Sequence, residues 1–267
     1  MYYKLSEKIL KEGVRMRAVI ITVAGISSRF NEGVSEAEKE LKAIYTESDR
    51  RCTLLYHLLK KCSYADRIII VGGYKFDSLK HYCFGIEDRL KNKIELVYNE
   101  HYKDLSSGYS LYLGLQEAFK FNPEEILFAE GDLNIDAPSF ERIVNAENSV
   151  LTYTYEPIHA DKAVVLYIDD KNQFRYAFNS SHGLLSIDTP FSCILNSGQT
   201  WKFTDVSTLR RAAEKFYLET KDGTNLCIIQ NYLDSSVTVE LIALDHWTNC
   251  NTKDDYRKIA VCWEEDI

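Results

Sequence analysis

Residues 17–30 read RAVIITVAGISSRF, and the fold turns on this stretch. Arg17 to Val23 is an unbroken, largely β-branched apolar run. A strand with one wet face would alternate apolar and polar residues, so a run without alternation marks a strand buried on both sides. Gly25 ends it, and small polar residues open a loop. The same reading recurs downstream. RIIIV at Arg67 to Val71 runs into Gly72-Gly73, Ile94 to Tyr98 makes a third strand, and EILFAE at Glu125 to Glu130 leads into Gly131-Asp132. Between these lie segments of helical spacing: Thr53 to Cys62 with Leu54, Leu55, Leu58 and Leu59, then Phe76 to Tyr82, then Ser110 to Phe119 with Leu111, Leu115 and Phe119 on one face. Strand and helix alternating every ~30 residues predict βαβ units and a parallel sheet, so residues 16–150 are α/β.

Beyond residue 150 the rhythm changes. Val150 to Tyr155, Lys162 to Ile168, Gln173 to Phe178 and Leu184 to Ile187 are short strand candidates with little helix between them, which predicts antiparallel additions to the sheet. Helices are expected over Val206 to Thr220 and Gly223 to Leu233, a strand over Thr238 to Ala243, and a closing helix from Thr252 to Ala260. Residues 1–15 have the spacing of a short amphipathic helix, with Leu5, Ile9 and Leu10 on one side. The prolines at 123, 138, 157 and 190 are all expected between elements, where a missing N–H costs least. There is no internal repeat and no low-complexity tract. A single domain over 1–267 is expected, a Rossmann-like three-layer sandwich around a mostly parallel mixed sheet.

Composition narrows the function classes. The 267 residues carry 32 basic and 40 acidic side chains, a net charge of −8, without any dense Lys/Arg block, which argues against a nucleic-acid-binding surface. With 45% hydrophobic and 27% charged residues the chain is of the globular type. Its longest apolar runs fall well short of the ~18 residues a membrane span needs. The N-terminus, MYYKLSEKILKEG, lacks the apolar core of a secretory signal, so a cytoplasmic location is expected. Seven scattered cysteines without a C-x-x-C pair read as reduced thiols and not as a disulfide scaffold or zinc site.

Two places carry candidate chemistry. The first is the loop after the first strand, Ala24-Gly25-Ile26-Ser27-Ser28-Arg29-Phe30, with Lys39 ten residues beyond Arg29. Small residues leave backbone N–H groups free to cradle phosphate oxygens, and an arginine adds a bidentate clamp. A plain turn with a solvated arginine reads equally well. The loop is neither a Walker A sequence nor G-x-G-x-x-G. The second place is Glu130-Gly131-Asp132 at the end of the fourth strand. Carboxyl ends of strands line the ligand crevice of open α/β sheets, so Asp132 is placed to hold a divalent cation, although a turn cap would use the same residue. Together the two sites point to a nucleotide plus Mg²⁺. Ser106-Ser107-Gly108-Tyr109 stands before a helix and is either a ligand-reading N-terminus or an ordinary cap. The polar stretches Asn179 to Gly183 and Asn196 to Lys202 read as turns bounding strands.

These motifs, in this order, resemble the superfamily of sugar-1-phosphate nucleotidyltransferases, and most closely its phosphocholine and phosphonate cytidylyltransferase branch. The family's A-A-G-x-G-[ST]-R-[FL] loop is matched by Ala24 to Phe30, with Ser27 where many relatives have glycine. Its P-K-x-L segment is matched by Glu38-Lys39-Glu40-Leu41, with Glu38 for the proline. Val71-Gly72-Gly73-Tyr74 fits a strand ending in V-G-Y, and Asn99, Tyr102, Ser110 and Leu111 fit the next segment. Near the C-terminus Asn249 to Tyr256 occupies the place of a D-[ST]-x-x-D-Y-like helix start, with Asn251 where the second metal aspartate usually stands. Asp245 lies on the approach to this segment.

The resemblance implies a nucleotide-diphospho-sugar transferase-like fold, with a nucleotide-binding half (16–150) and an acceptor-binding half (151–267). It also implies an Mg²⁺-dependent enzyme that transfers CMP from CTP to a small phosphorylated alcohol or a phosphonate and releases pyrophosphate. On that carry-over Arg29 and Lys39 are the catalytic cations. Ala24, Gly25, Ser27, Ser28, Gly73, Ser107 and Gly108 hold the nucleotide, Asp132 and Asn251 hold the metal, and His182 or Lys202 meets the acceptor. A sugar 1-phosphate acceptor is the alternative, followed by a GT-A-type glycosyltransferase and a non-catalytic nucleotide-binding module. The base, the acceptor and any homo-oligomeric state stay open.

Overall fold

The structure, a computed structural model, describes residues 16–159, 164–178 and 184–264. The helix expected over residues 1–15 and the candidate His182 lie outside the described residues. In chain order the first half runs β1 (Arg17–Val23), α1 (Leu54–Lys61), β2 (Arg67–Gly72), α2 (Phe76–Phe84), α3 (Asp88–Lys91), β3 (Ile94–Tyr98), α4 (Ser107–Ala118), β4 (Glu125–Glu130), β5 (Leu133–Ile135) and α5 (Ala137–Asn145). The second half runs β6 (Ser149–Thr154), β7 (Val164–Asp169), β8 (Phe174–Phe178), β9 (Phe191–Phe203), α6 (Val206–Glu219), α7 (Asn225–Leu233), β10 (Val239–Leu244), β11 (Trp247–Asn249) and α8 (Lys253–Glu264).

β1 sits in the middle of the sheet, parallel to β2 on one side and β4 on the other, with Ile20 opposite Ile69 and Phe128. Its unbroken apolar run follows from two covered faces. Val19, Ile21 and Val23 pack with Leu55, Leu58 and Leu59 of α1, while Ala18 and Ile20 pack with Leu111 and Leu115 of α4. Each fully buried isoleucine here stabilises the fold by about 1.5–3 kcal/mol through area removed from water. The strand order is β10-β6-β9-β4-β1-β2-β3, with β7 on β9 and β8 on β7. β9 is antiparallel to β4, β6 and β7, whereas β10 is parallel to β6. The expected α/β sandwich with a mostly parallel mixed sheet is therefore the observed one. No helix among the described residues is long and apolar enough to cross a membrane.

Four local expectations need correction. Leu184 to Ile187 forms no strand. The stretch Asn196 to Lys202, read as a turn, is the interior of the 13-residue β9. Its backbone is tied to β6 by a side chain: Thr152 Oγ1 donates to Thr200 O at 2.7 Å, beside a register shift between Leu151 and Tyr153, while Thr200 Oγ1 is buried without a hydrogen-bond partner. Helix α5 was not legible because only Ser139, Phe140 and Ile143 are buried in it. Asp136 caps it by accepting from Ser139 N at 2.8 Å, and Pro138 stands in its first turn, not between elements.

Candidate functional site

β1 and β4 end side by side, with Thr22 opposite Glu130, so the loops that follow them leave one edge of the sheet together. Gly131 N donates to Thr22 O at 3.0 Å. A Cβ at Gly131 would run into Val23 Cγ1 and stand 2.9 Å from Thr22 O. Only glycine allows this approach, and it sets Asp132 directly beside the β1 loop.

That loop is held by Asn31, a residue the sequence reading passed over. Asn31 is 3% exposed. Its Nδ2 donates to Ser27 O at 3.0 Å and Glu40 O at 2.9 Å, and its Oδ1 accepts from Glu40 N at 2.9 Å. The clamp folds residues 40–44 back over the loop, and Ser27 takes a left-handed backbone there (φ 54°). Lys42 is thereby carried to Asp132, with Nζ 2.8 Å from Oδ2. Cys250 N donates to Asp132 O at 2.9 Å, which brings Asn249 and Asn251 to the same place through the β5–β11 pair.

The opposite wall is built by the first residues of α4 and α7. Ser107 Oγ donates to Asn225 Oδ1 at 3.2 Å, and Asn225 Nδ2 donates to Glu130 Oε1 at 2.7 Å. Burial, reinforced by the Asp132 carboxylate, raises the Glu130 carboxyl above the usual carboxylate range, against the pull of the Asn225 hydrogen bond and the Lys42 charge. These groups enclose a cavity of about 400 Å³, within the size range of small-ligand sites.

The structure brings Ala24, Gly25, Ser27, Arg29, Ser107, Asp132 and Asn251 together on this cavity. Other expected residues lie elsewhere. Ser28 is exposed beside the cavity, outside its described lining. Gly73 is packed under the Tyr102 side chain and Ala24 O, and Gly108 under Gly223 O and the Phe216 ring, so both serve close packing. Lys39 is ion-paired with Glu36 and absent from the lining, whereas Lys42, three residues later, reaches in. Asp245 bonds Arg142 at 2.9 Å instead of turning toward Asp132.

Lys202 requires the clearest correction. It is 3% exposed, with Nζ 2.8 Å from both Val144 O and Ala146 O and 3.1 Å from Glu125 Oε2. An ammonium with its three donors so engaged is a structural post between β4, β9 and the end of α5, unavailable to an acceptor.

A hard divalent cation needs oxygen donors. Asp132 Oδ1 and Asn249 Oδ1 are buried without a hydrogen-bond partner, and Asn251 lines the same wall. The donor set fits Mg²⁺, with a single carboxylate among the three. Among the described residues no cluster of three His, Cys, Asp or Glu side chains forms a metal site.

A family model described as a domain of unknown function (DUF6564) matches residues 38–263. The chain belongs to that family. A search of curated proteins found no match. This DUF6564 chain is similar in structure to the inositol-1-phosphate CTP transferase from T. maritima, with a TM-score of 0.64 at 16% identity over 92% of this chain and 94% of that one. It is also similar to the CTP:phosphocholine cytidylyltransferase LicC from Streptococcus pneumoniae, with a TM-score of 0.59 at 18% identity over 94% and 100%. HddC from Yersinia pseudotuberculosis gives a TM-score of 0.62 at 15% identity over 93% and 100%. These likenesses establish a shared fold for the DUF6564 chain, the nucleotide-diphospho-sugar transferase-like fold expected above.

Proposed function

We propose that this chain is a nucleotidyltransferase that transfers CMP from CTP to a small phosphorylated alcohol or a phosphonate and releases pyrophosphate. The observation that carries the reading is the convergence of the β1 loop, Arg29, Lys42 and Asp132 on one cavity at the carboxyl edge of the sheet. In this reading the acceptor's phosphate or phosphonate oxygen attacks the α-phosphorus of the nucleotide. The bond to the bridging oxygen breaks, and pyrophosphate leaves with that electron pair. No side-chain nucleophile is needed, and the nearby Cys250 is fully buried and outside the cavity lining.

The residues contribute position and charge. Arg29 and the free N–H groups of the loop hold the triphosphate. Lys42 stabilises the charge that grows on the α-phosphoryl oxygens, the role the sequence assigned to Lys39. Mg²⁺ held by Asp132 with Asn249 or Asn251 would supply further charge compensation on the phosphates. The two amides also favour a second reading, a nucleotide-binding protein without turnover. Pyrophosphate release measured with four NTPs against phosphocholine, phosphonates and sugar phosphates tests both. Turnover with CTP supports the first, and nucleotide binding without turnover establishes the second.

A further inference from the structure

Gln199 stands out on the cavity wall. Its backbone is left-handed (φ 52°), a conformation that is costly for a residue with a Cβ. It is only 8% exposed, yet its side-chain amide makes no hydrogen bond with any described residue. Its backbone N donates to Ser197 Oγ at 3.2 Å, which pins the kink. The amide lines the cavity, open to whatever the cavity holds. A glycine would relieve the backbone, yet a residue with a long amide side chain stands here.

The position suggests what the amide is for. β9 pairs with β4 through Thr200 opposite Ala129, so Gln199 follows at the carboxyl end of β4, next to Glu130. Both cations of the described cavity, Arg29 and Lys42, belong to the loop side. Apart from Asn249 and Asn251 beside Asp132, the second half contributes Gln199, Thr224 and Asn225 with apolar side chains to the lining, and no lysine or arginine among the described residues. A bound acceptor would turn its phosphate toward the cations and its uncharged body toward Gln199. An amide both donates and accepts, and the matching uncharged group is a hydroxyl.

Building on the proposed nucleotidyl transfer, we infer that Gln199 is the specificity-determining residue for the acceptor, selecting a hydroxyl-bearing phosphate over one without a hydroxyl. The test uses the full chain and Q199L, with Q199G as a control that relaxes the backbone. CTP affinity is measured by calorimetry. Acceptor kinetics are measured with glycerol 3-phosphate and glucose 1-phosphate against phosphocholine and 2-aminoethylphosphonate. The expected result is a wild-type preference for the hydroxylated pair. In folded Q199L and Q199G the KM for that pair rises about ten-fold, with CTP affinity within two-fold of wild type and the hydroxyl-free pair unaffected. A wild-type preference for the hydroxyl-free pair, or an unchanged KM in Q199L, overturns the inference while leaving nucleotidyl transfer standing. Absence of pyrophosphate release from the wild type with every NTP and acceptor overturns the transferase reading and this inference with it.

Discussion

Replacing Lys202 by methionine should unfold the protein more readily without touching its chemistry. The substitution keeps the aliphatic stem but removes an ammonium bonded at 2.8 Å to Val144 O and Ala146 O and at 3.1 Å to Glu125 Oε2. Glu125 is only 12% exposed and would be left as an unpaired buried carboxylate. Removing one partner of such a pair costs about 3–5 kcal/mol, and the two carbonyls at the end of α5 add to the loss. At roughly 2–4 °C per kcal/mol for a chain near this size, Tm should fall on the order of 10 °C. Thermal melts followed by circular dichroism give the comparison with wild type. The double variant K202M/E125Q should regain part of the loss, because it removes the stranded charge. A K202M melt within 2 °C of wild type, accompanied by loss of acceptor binding, would refute the structural role and return Lys202 to the acceptor site.

The remaining predictions concern the cavity. D132A should lose turnover while retaining its circular dichroism spectrum, since Asp132 sits at a strand end outside the apolar clusters; a folded variant with wild-type rates would remove Asp132 from the site. K42M should lower kcat by about 10²-fold, the scale of one lost oxyanion donor, and K39M should change it less than three-fold; the reverse ranking would show that Lys39 swings in when nucleotide binds. N251D should tighten Mg²⁺ binding to the nucleotide-free protein in calorimetric titrations by adding a charge to a site with one carboxylate; if N249D tightens it instead, the second ligand is Asn249. N31A breaks three hydrogen bonds worth about 1 kcal/mol each, so its Tm should drop by several degrees, with KM for nucleotide rising because the loop and Lys42 lose their common anchor.

The sheet was legible where side chains answer to one physical demand. β1, β2 and β4 are covered on both faces, so each shows an apolar run whose ends coincide with the observed ones to within a residue. β9 faced conflicting demands. Its interior carries Ser197, which accepts from Gln199 N, Gln199 on the cavity wall, and Thr200, and this polarity imitates a turn. The site divides in the same way. Asp132 and Arg29 follow directly from strand ends, so strand prediction finds them. Choosing between Lys39 and Lys42 needs the path of residues 31–41, which depends on the Asn31 clamp to Ser27 and Glu40, a pairing without local periodicity. Asn225 lies nearly a hundred residues from the Glu130 it bonds, and nothing in its neighbourhood marks it.

The placement of β9 also governs how the chain can be made. As synthesis proceeds from the N-terminus, β1 to β4 can pair as they emerge, but one edge of β4, from Ile126 to Ala129, waits for residues 200–203. Strand β6 waits longer, since its neighbours are β9 and β10. A nascent chain whose β4 has left the ribosome while residues 200–203 have not would therefore display an apolar strand edge with bare N–H and C=O groups, the kind of surface that recruits another nascent chain. Speed through this interval, or a chaperone waiting at the tunnel exit, is the demand that a late antiparallel strand places on the cell.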